Sequence, residues 1–212
     1  MFTFLQSSHF FRNFIIYPIN NKYFVHSSQI KIYEMKKIML TLVVVVFATY
    51  AVSAQNVKLA VGMKAPDWVF PDADKKEFSM ESWAGKVLQV NYVDPDESEL
   101  NESFNEVVNK AVDVEKRIDR DYFKGFGIVD CKSTWKPNAL IRTIAGNKAK
   151  KFNTTILFDY DAKLQNLWGL PKDNYSVIIL DKNRICRAIY TGKIPESDYP
   201  KLIKLIEDLS KE

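Results

Sequence analysis

Val87-Leu88-Gln89-Val90-Asn91-Tyr92-Val93, followed at once by Asp94-Pro95-Asp96, is the stretch on which the fold turns. Seven mostly β-branched or apolar residues, entered from a Gly85-Lys86 turn, read as a buried strand. Beyond the Asp-Pro-Asp break the period changes. Leu100, Phe104, Val107, Val108, Ala111, Val114 and Ile118 recur every three or four residues, which predicts an amphipathic helix. Asp96, with Glu99 three residues on, has the form of a capping box at its start.

Toward the C-terminus, residues 125–129 read as a second short strand, and Pro137 suits the first turn of a helix carrying Leu140, Ile141 and Ile144 that ends near Gly146 or somewhat later. Residues 154–158 read as a further strand and 162–168 as a short helix stopped by Gly169 and Pro171. Residues 177–180 and 185–190 flank a tight turn at Asp181-Lys182-Asn183-Arg184, the pattern of an antiparallel hairpin. A last helix places Leu202, Leu205, Ile206 and Leu209 on one face. The alternation predicts an α/β fold in three layers, a central mixed sheet with a parallel pair and an antiparallel pair, covered by helices on both faces.

The chain of 212 residues suffices for one or at most two domains, and 47% apolar with 26% charged residues excludes a disordered chain or a multi-span membrane protein. Its net charge of +4 is unevenly placed. Residues 1–54 hold five Lys/Arg and one acidic residue, so residues 55–212 carry 25 basic and 25 acidic groups. That balance leaves no electrostatic footprint for nucleic-acid phosphates, so no nucleic-acid partner is expected. Both histidines, His9 and His26, also lie before residue 54, which removes Ser-His catalysis and histidine-ligated metals from the remainder.

Met35-Lys36-Lys37, an apolar run over 38–48, and Ala51-Val52-Ser53-Ala54 before Gln55 read as a secretory signal peptide over residues 35–54, cleaved after Ala54. The apolar run is shorter than the roughly 20 residues a membrane span needs, so membrane contact is expected only through the uncleaved signal. Residues 1–34, with six Phe, one Glu and no Ala, Gly or Asp, lack helical or strand periodicity. They read as translated upstream sequence, with Met35 the expected initiator and 55–212 the folded domain. Export places that domain in the periplasm, where cysteines can oxidise, and it holds two, Cys131 and Cys186.

Val61-Gly62-Met63-Lys64-Ala65-Pro66-Asp67-Trp68 resembles the Gly-x-x-Ala-Pro-x-aromatic opening of the redoxin and peroxiredoxin branch of thioredoxin-like proteins, and residues 79–91 resemble the turn, Gly-Lys and apolar strand that follow it. More narrowly, Thr134-Trp135-Lys136-Pro137-Asn138, Trp168-Gly169-Leu170 and Ser176-Val177-Ile178-Ile179-Leu180-Asp181-Lys182 resemble blocks of the YtfJ-type family of exported thioredoxin-like proteins, a likeness spanning most of residues 57–210. The resemblance implies a thioredoxin-like fold with a Cys-x-x-Cys pair where the first core strand meets its helix. Counted from Gly85-Lys86, those positions fall near Glu97 and Leu100, and residues 93–100 contain no cysteine. The proline that such folds place before the third core strand is also missing from Asn174-Tyr175-Ser176. Disulfide exchange by that site is therefore rejected.

Asp94, Asp96, Glu97 and Glu99 stand where the dithiol would be. Carboxylates at a helix start serve capping and helix-end electrostatics. A calcium loop is opposed by Glu99, where glycine is needed, and by Asn105, where a bidentate glutamate is needed. Neither a metal nor a cofactor is expected, and the seven glycines are too scattered for a phosphate loop. Cys131 follows the second strand, at the carboxyl edge beside the Asp94 loop, where open α/β sheets place ligands. Lys132 and the nearby helix start favour its thiolate, and Asp130 opposes it. Cys186 shares a strand face with Ala188 and Tyr190, which reads as packing.

In the implied sheet order the second and fourth core strands lie at opposite edges, roughly 14 Å apart at about 4.8 Å per step, so free thiols are expected. Trp135 and Tyr175 flank the same edge. They read either as an aromatic contact surface or, for Trp135, as packing over the helix start. The expectation is an exported thioredoxin-like protein without a redox dithiol, a binding module rather than an enzyme. It would present Asp94, Asp96, Glu97, Cys131, Trp135 and Tyr175 to a periplasmic protein or peptide. The alternative is a single-cysteine thiol oxidoreductase or peroxidase using Cys131.

Overall fold

The computed structural model of the protein describes residues 58–212. The expected upstream stretch and signal peptide, residues 1–54, lie outside the described residues. The decisive strand forms as read: β3 (Val87–Val93) is buried at every position. It is the centre of a five-stranded sheet with β4 (Phe123–Asp130), β5 (Thr155–Asp159), β6 (Tyr175–Leu180) and β7 (Cys186–Thr191), in the order β5-β4-β3-β6-β7. The strands β3, β4 and β5 are parallel, whereas β6 and β7 pair antiparallel. A separate ribbon of β1 (Val69–Pro71) and β2 (Glu77–Ser79) escapes the sequence pattern, because three residues per strand are too few to show a period.

Four helices cover the sheet: α1 (Glu102–Asp113), α2 (Asn138–Lys151), α3 (Lys163–Trp168) and α4 (Tyr199–Lys211). Strand alternation sorts the core into two layers. Val87 and Val93 of β3 pack with Phe104 and Val108 of α1 and with Leu202 and Ile206 of α4. Leu88, Val90 and Tyr92 point the other way, against Trp68, Met80, Leu164 and Trp168. Burying each such large apolar side chain contributes about 1.5–3 kcal/mol. Trp168 also donates from Nε1 to Pro66 O at 3.0 Å, while Leu59 N donates to Trp168 O at 2.9 Å, so the Gly-x-x-Ala-Pro segment is tied to α3. Gly169 ends α3 at φ +61°, and a Cβ there would lie 2.9 Å from Lys58 Cα, so both the conformation and the space call for glycine.

Four expectations are corrected. The Asp96–Glu99 capping box does not form. Asp94 instead caps a 3₁₀ turn over Pro95–Glu97 by accepting from Asp96 N at 2.8 Å, and α1 begins only at Glu102. Val107, Val114, Leu140 and Ile144, read as core, are exposed, because the helices present only their innermost positions to the sheet. Cys186 does not share a face with Ala188: a bulge between Ile179 and Leu180 shifts the β6–β7 register, so Cys186 faces the Trp168 layer and Ala188 the Leu202 layer. Finally, β4 is not an edge strand, since β5 pairs outside it. Both cysteines are nonetheless free thiols.

Candidate functional site

An aspartate closes each of the three parallel strands. Asp94 follows β3, Asp130 ends β4 and Asp159 ends β5, and all three are buried. Each turns its carboxylate back onto the loop it opens. Asp94 accepts from Asp96 N at 2.8 Å, Asp130 from Lys132 N at 2.9 Å, and Asp159 from Lys163 N at 2.9 Å and Leu164 N at 2.8 Å. The carboxyl edge of the sheet is thus built from strand-end Asx turns that satisfy loop amides. Asp94 N also donates to Asn174 O at 3.1 Å, which ties the β3 end to the segment entering β6.

The loop after Asp94 carries the exposed carboxylates of Asp96 and Glu97. Lys136 forms an ion pair with Asp96 across it. Hydrogen bonding from Lys136, and then from Thr134, holds the Asp96 carboxyl below the usual carboxylate range. That pair anchors the loop of residues 131–137 beside the Asp94 turn. Trp135, next in sequence, is 88% exposed, so of its two readings packing over the helix start does not hold. Leu140, in the first turn of α2, is also half-exposed.

Cys131 stands at the expected edge but is 6% exposed. Its amide donates to Asp159 O at 3.0 Å and its thiol donates to Val129 O at 3.7 Å. Burial, and then the charges of Asp130 and Asp159, push the thiol up to about 12. Lys132 and the helix start, read as favouring thiolate, are outweighed by desolvation and by carboxylates on two strands. Tyr175 also departs from the surface reading. Its ring is buried in the Phe104 layer, its hydroxyl accepts from Asn105 Nδ2 at 3.1 Å, and burial raises it to about 12. The structure therefore gathers Asp94, Asp96, Glu97, Cys131 and Trp135 at one edge. Of these only Asp96, Glu97 and Trp135 face solvent freely, while Tyr175 contributes from beneath.

The sequence reading missed a buried polar cluster behind Cys131. Tyr92 donates to Asp159 Oδ2 at 3.2 Å, and Gln165 Nε2 donates to Asp130 Oδ2 at 3.3 Å. Burial raises both the Asp130 carboxyl and, with the charges of Asp159 and Asp130, the Tyr92 hydroxyl. The recurring aspartate at strand ends was the available signal. Among the described residues no group of three or more His, Cys, Asp or Glu is placed to hold a metal ion.

No family model matches the chain. An uncharacterized protein of Haemophilus influenzae is 28% identical over 64 residues, which is 30% of this chain and 35% of that protein. The chain thus aligns with little more than a third of that relative's length. Similar solved structures include one designated a thiol:disulfide interchange protein, DsbE, from Chlorobium tepidum, with a TM-score of 0.54 at 17% identity, covering 72% of this chain and 99% of that one. The thioredoxin domain of a thiol-disulfide oxidoreductase from Bacteroides vulgatus gives 0.52 at 14% identity, covering 70% and 99%. An exposed lipoprotein thioredoxin of Streptococcus pneumoniae gives 0.50 at 15% identity, covering 66% and 99%. With the mixed sheet described above, these likenesses establish an α/β thioredoxin-like fold.

Proposed function

We propose that the protein is an exported, YtfJ-type thioredoxin-like module that binds a protein or peptide partner at the carboxyl edge of its sheet and performs no thiol chemistry there. The observation that carries this reading is Trp135, a large aromatic held 88% exposed beside carboxylates where a dithiol would otherwise stand. An exposed aromatic next to satisfied polar groups has the composition of an interface hot spot. The buried Cys131 thiol, pushed up to about 12, supports the same side of the choice, because the thiolate is the nucleophile in every oxidoreductase or peroxidase scheme. Export is supported by the signal-peptide pattern of residues 35–54 and accords with the exposed lipoprotein among the similar folds. The YtfJ assignment rests on the three sequence blocks quoted above, one of which contains Trp135.

The partner is expected to offer an apolar side chain to Trp135 and a cation to Asp96 and Glu97. Affinity capture from a periplasmic extract, quantified for wild type against Trp135→Ala and Asp96→Ala, tests this. A partner retained by wild type and lost at least tenfold by Trp135→Ala supports it; identical captured sets refute it. Peroxide consumption with a thiol reductant, compared with Cys131→Ser, addresses the enzyme alternative, which requires a rate that the serine variant loses.

A further inference from the structure

Away from the Trp135 surface, β4 carries two glycines on one face. Gly125 and Gly127 lie between Phe123 and Val129 in the same row, on the side of the sheet facing α1 and α2. A mid-strand glycine weakens a sheet and characteristically marks close approach by a ligand or another backbone. Here the missing side chains leave a groove of about 400 Å³ between α1 and α2, within the range of small-molecule sites. Its lining runs from Ser98 and Lys136 at the carboxyl end of the strands to Arg120 and Phe152 at the amino end. The β4 span beneath it, Phe123 to Val129, is about 20 Å long at 3.3 Å per residue. The groove is therefore elongated.

Its floor contains an unusual group. Gln89 is 2% exposed, and its Nε2 donates to Asn105 Oδ1 at 2.8 Å and Asn91 Oδ1 at 3.2 Å. Asn91 Nδ2 donates to Phe126 O, a carbonyl that can only accept, so Asn91 must turn its oxygen to Gln89. This sets the Gln89 amide, which in turn sets Asn105, whose Nδ2 is left to donate to the Tyr175 hydroxyl. That fixes the Gln89 amide with Oε1 toward Gly125, 3.9 Å from where a Cβ there would stand. Oε1 lies just beneath the groove floor, closed off from solvent, and accepts no hydrogen bond from any described residue, so a ligand donor reaches it through a small shift of the floor. A buried acceptor left without a donor is costly, and a ligand that supplies one is favoured over one that does not. The α2 wall is apolar through Ile141, Ile144 and Phe152. Charges at the rim have both signs, and Lys136 and Arg120 are already paired with Asp96 and Asp113.

We propose that this groove binds a neutral, elongated apolar molecule that presents an N–H or O–H donor to Gln89 Oε1. The test uses N-phenyl-1-naphthylamine, a neutral fluorescent probe with one N–H, titrated into the purified protein and then displaced by decanamide or by N,N-dimethyldecanamide, which lacks the donor. Saturable one-site binding is expected, with decanamide displacing the probe about tenfold more effectively, the lower part of the range for an unmatched buried acceptor. Gly127→Val should fold with an unchanged or higher Tm, since its Cβ would meet Ile156 Cγ1 at 3.8 Å and Asn91 O at 3.9 Å, ordinary contacts, while its methyls fill the groove. It should weaken probe binding at least tenfold. Should that variant not fold, Gly125→Ala, whose new methyl stands beside Gln89 Oε1, is expected to weaken decanamide displacement. Absence of saturable binding, equal displacement by the two amides, or unaltered binding in the glycine variants overturns the proposal.

Discussion

Alkylation of Cys131 tests the reasoning about the sheet edge most directly. An exposed cysteine has a pKa near 8.5, and the Cys131 thiol is pushed up to about 12 by burial and by Asp130 and Asp159. Each unit removes tenfold of the thiolate, so at pH 7.5 the reactive fraction is about a thousandfold below that of glutathione, before limited access is counted. The assay is iodoacetamide labelling of the reduced protein at pH 7.5, 8.5 and 9.5, with the two cysteine peptides quantified by mass spectrometry against glutathione. Cys131 is expected to react at least about a thousandfold more slowly, with a rate still climbing tenfold per pH unit where glutathione levels off. Cys186, pushed up to about 11, should lag by at least about a hundredfold on the same ground. In 6 M guanidinium, a condition chosen as on the order of full denaturation, both should match glutathione. A native Cys131 rate within tenfold of glutathione refutes the argument and makes the single-thiol enzyme the better reading.

Asp159→Ala removes the acceptor of two α3 amides and of the Tyr92 hydroxyl and is expected to destabilise by about 2–4 kcal/mol in urea unfolding. A loss under 1 kcal/mol, roughly the lower end of one cap, contradicts this role. Trp135→Ala should change stability by no more than about 0.5 kcal/mol, because the ring contributes little to the core, and a larger loss means it packs in solution. Asp130 has a folded pKa raised by burial above its unfolded value, so its favourable contribution is complete below about pH 3.9 and fades as pH climbs through the folded value. Asp130→Asn, which stays neutral, should therefore gain stability relative to wild type as pH rises above about 3.9. Urea midpoints that move the opposite way exclude that linkage.

Periodicity carried most of the architecture. The run from Val87 to Val93 and the three- and four-residue spacing after Asp94 were enough to place β3 and α1, and the tight turn at 181–184 placed the β6–β7 hairpin. That residues 93–100 contain no cysteine was also legible, since it is a matter of sequence alone. Spacing does not report depth. It assigned Leu140 and Ile144 to the core and left Trp135 open between two readings, although the fold exposes all three. Nor did it reveal that Tyr175 turns inward, because a residue at a strand start is compatible with either face until its neighbours are known.

Local pattern alone determined that the chain alternates strands and helices and carries a run of carboxylates directly after β3, because these properties depend on residues close in sequence. Only tertiary structure decided the exposure of Trp135, the burial of Cys131 and the groove over Gly125 and Gly127. Each arises from groups brought together from distant segments, Lys136 with Asp96, Asp159 with Cys131, and α2 with β4, and desolvation is set by those neighbours rather than by the residue itself.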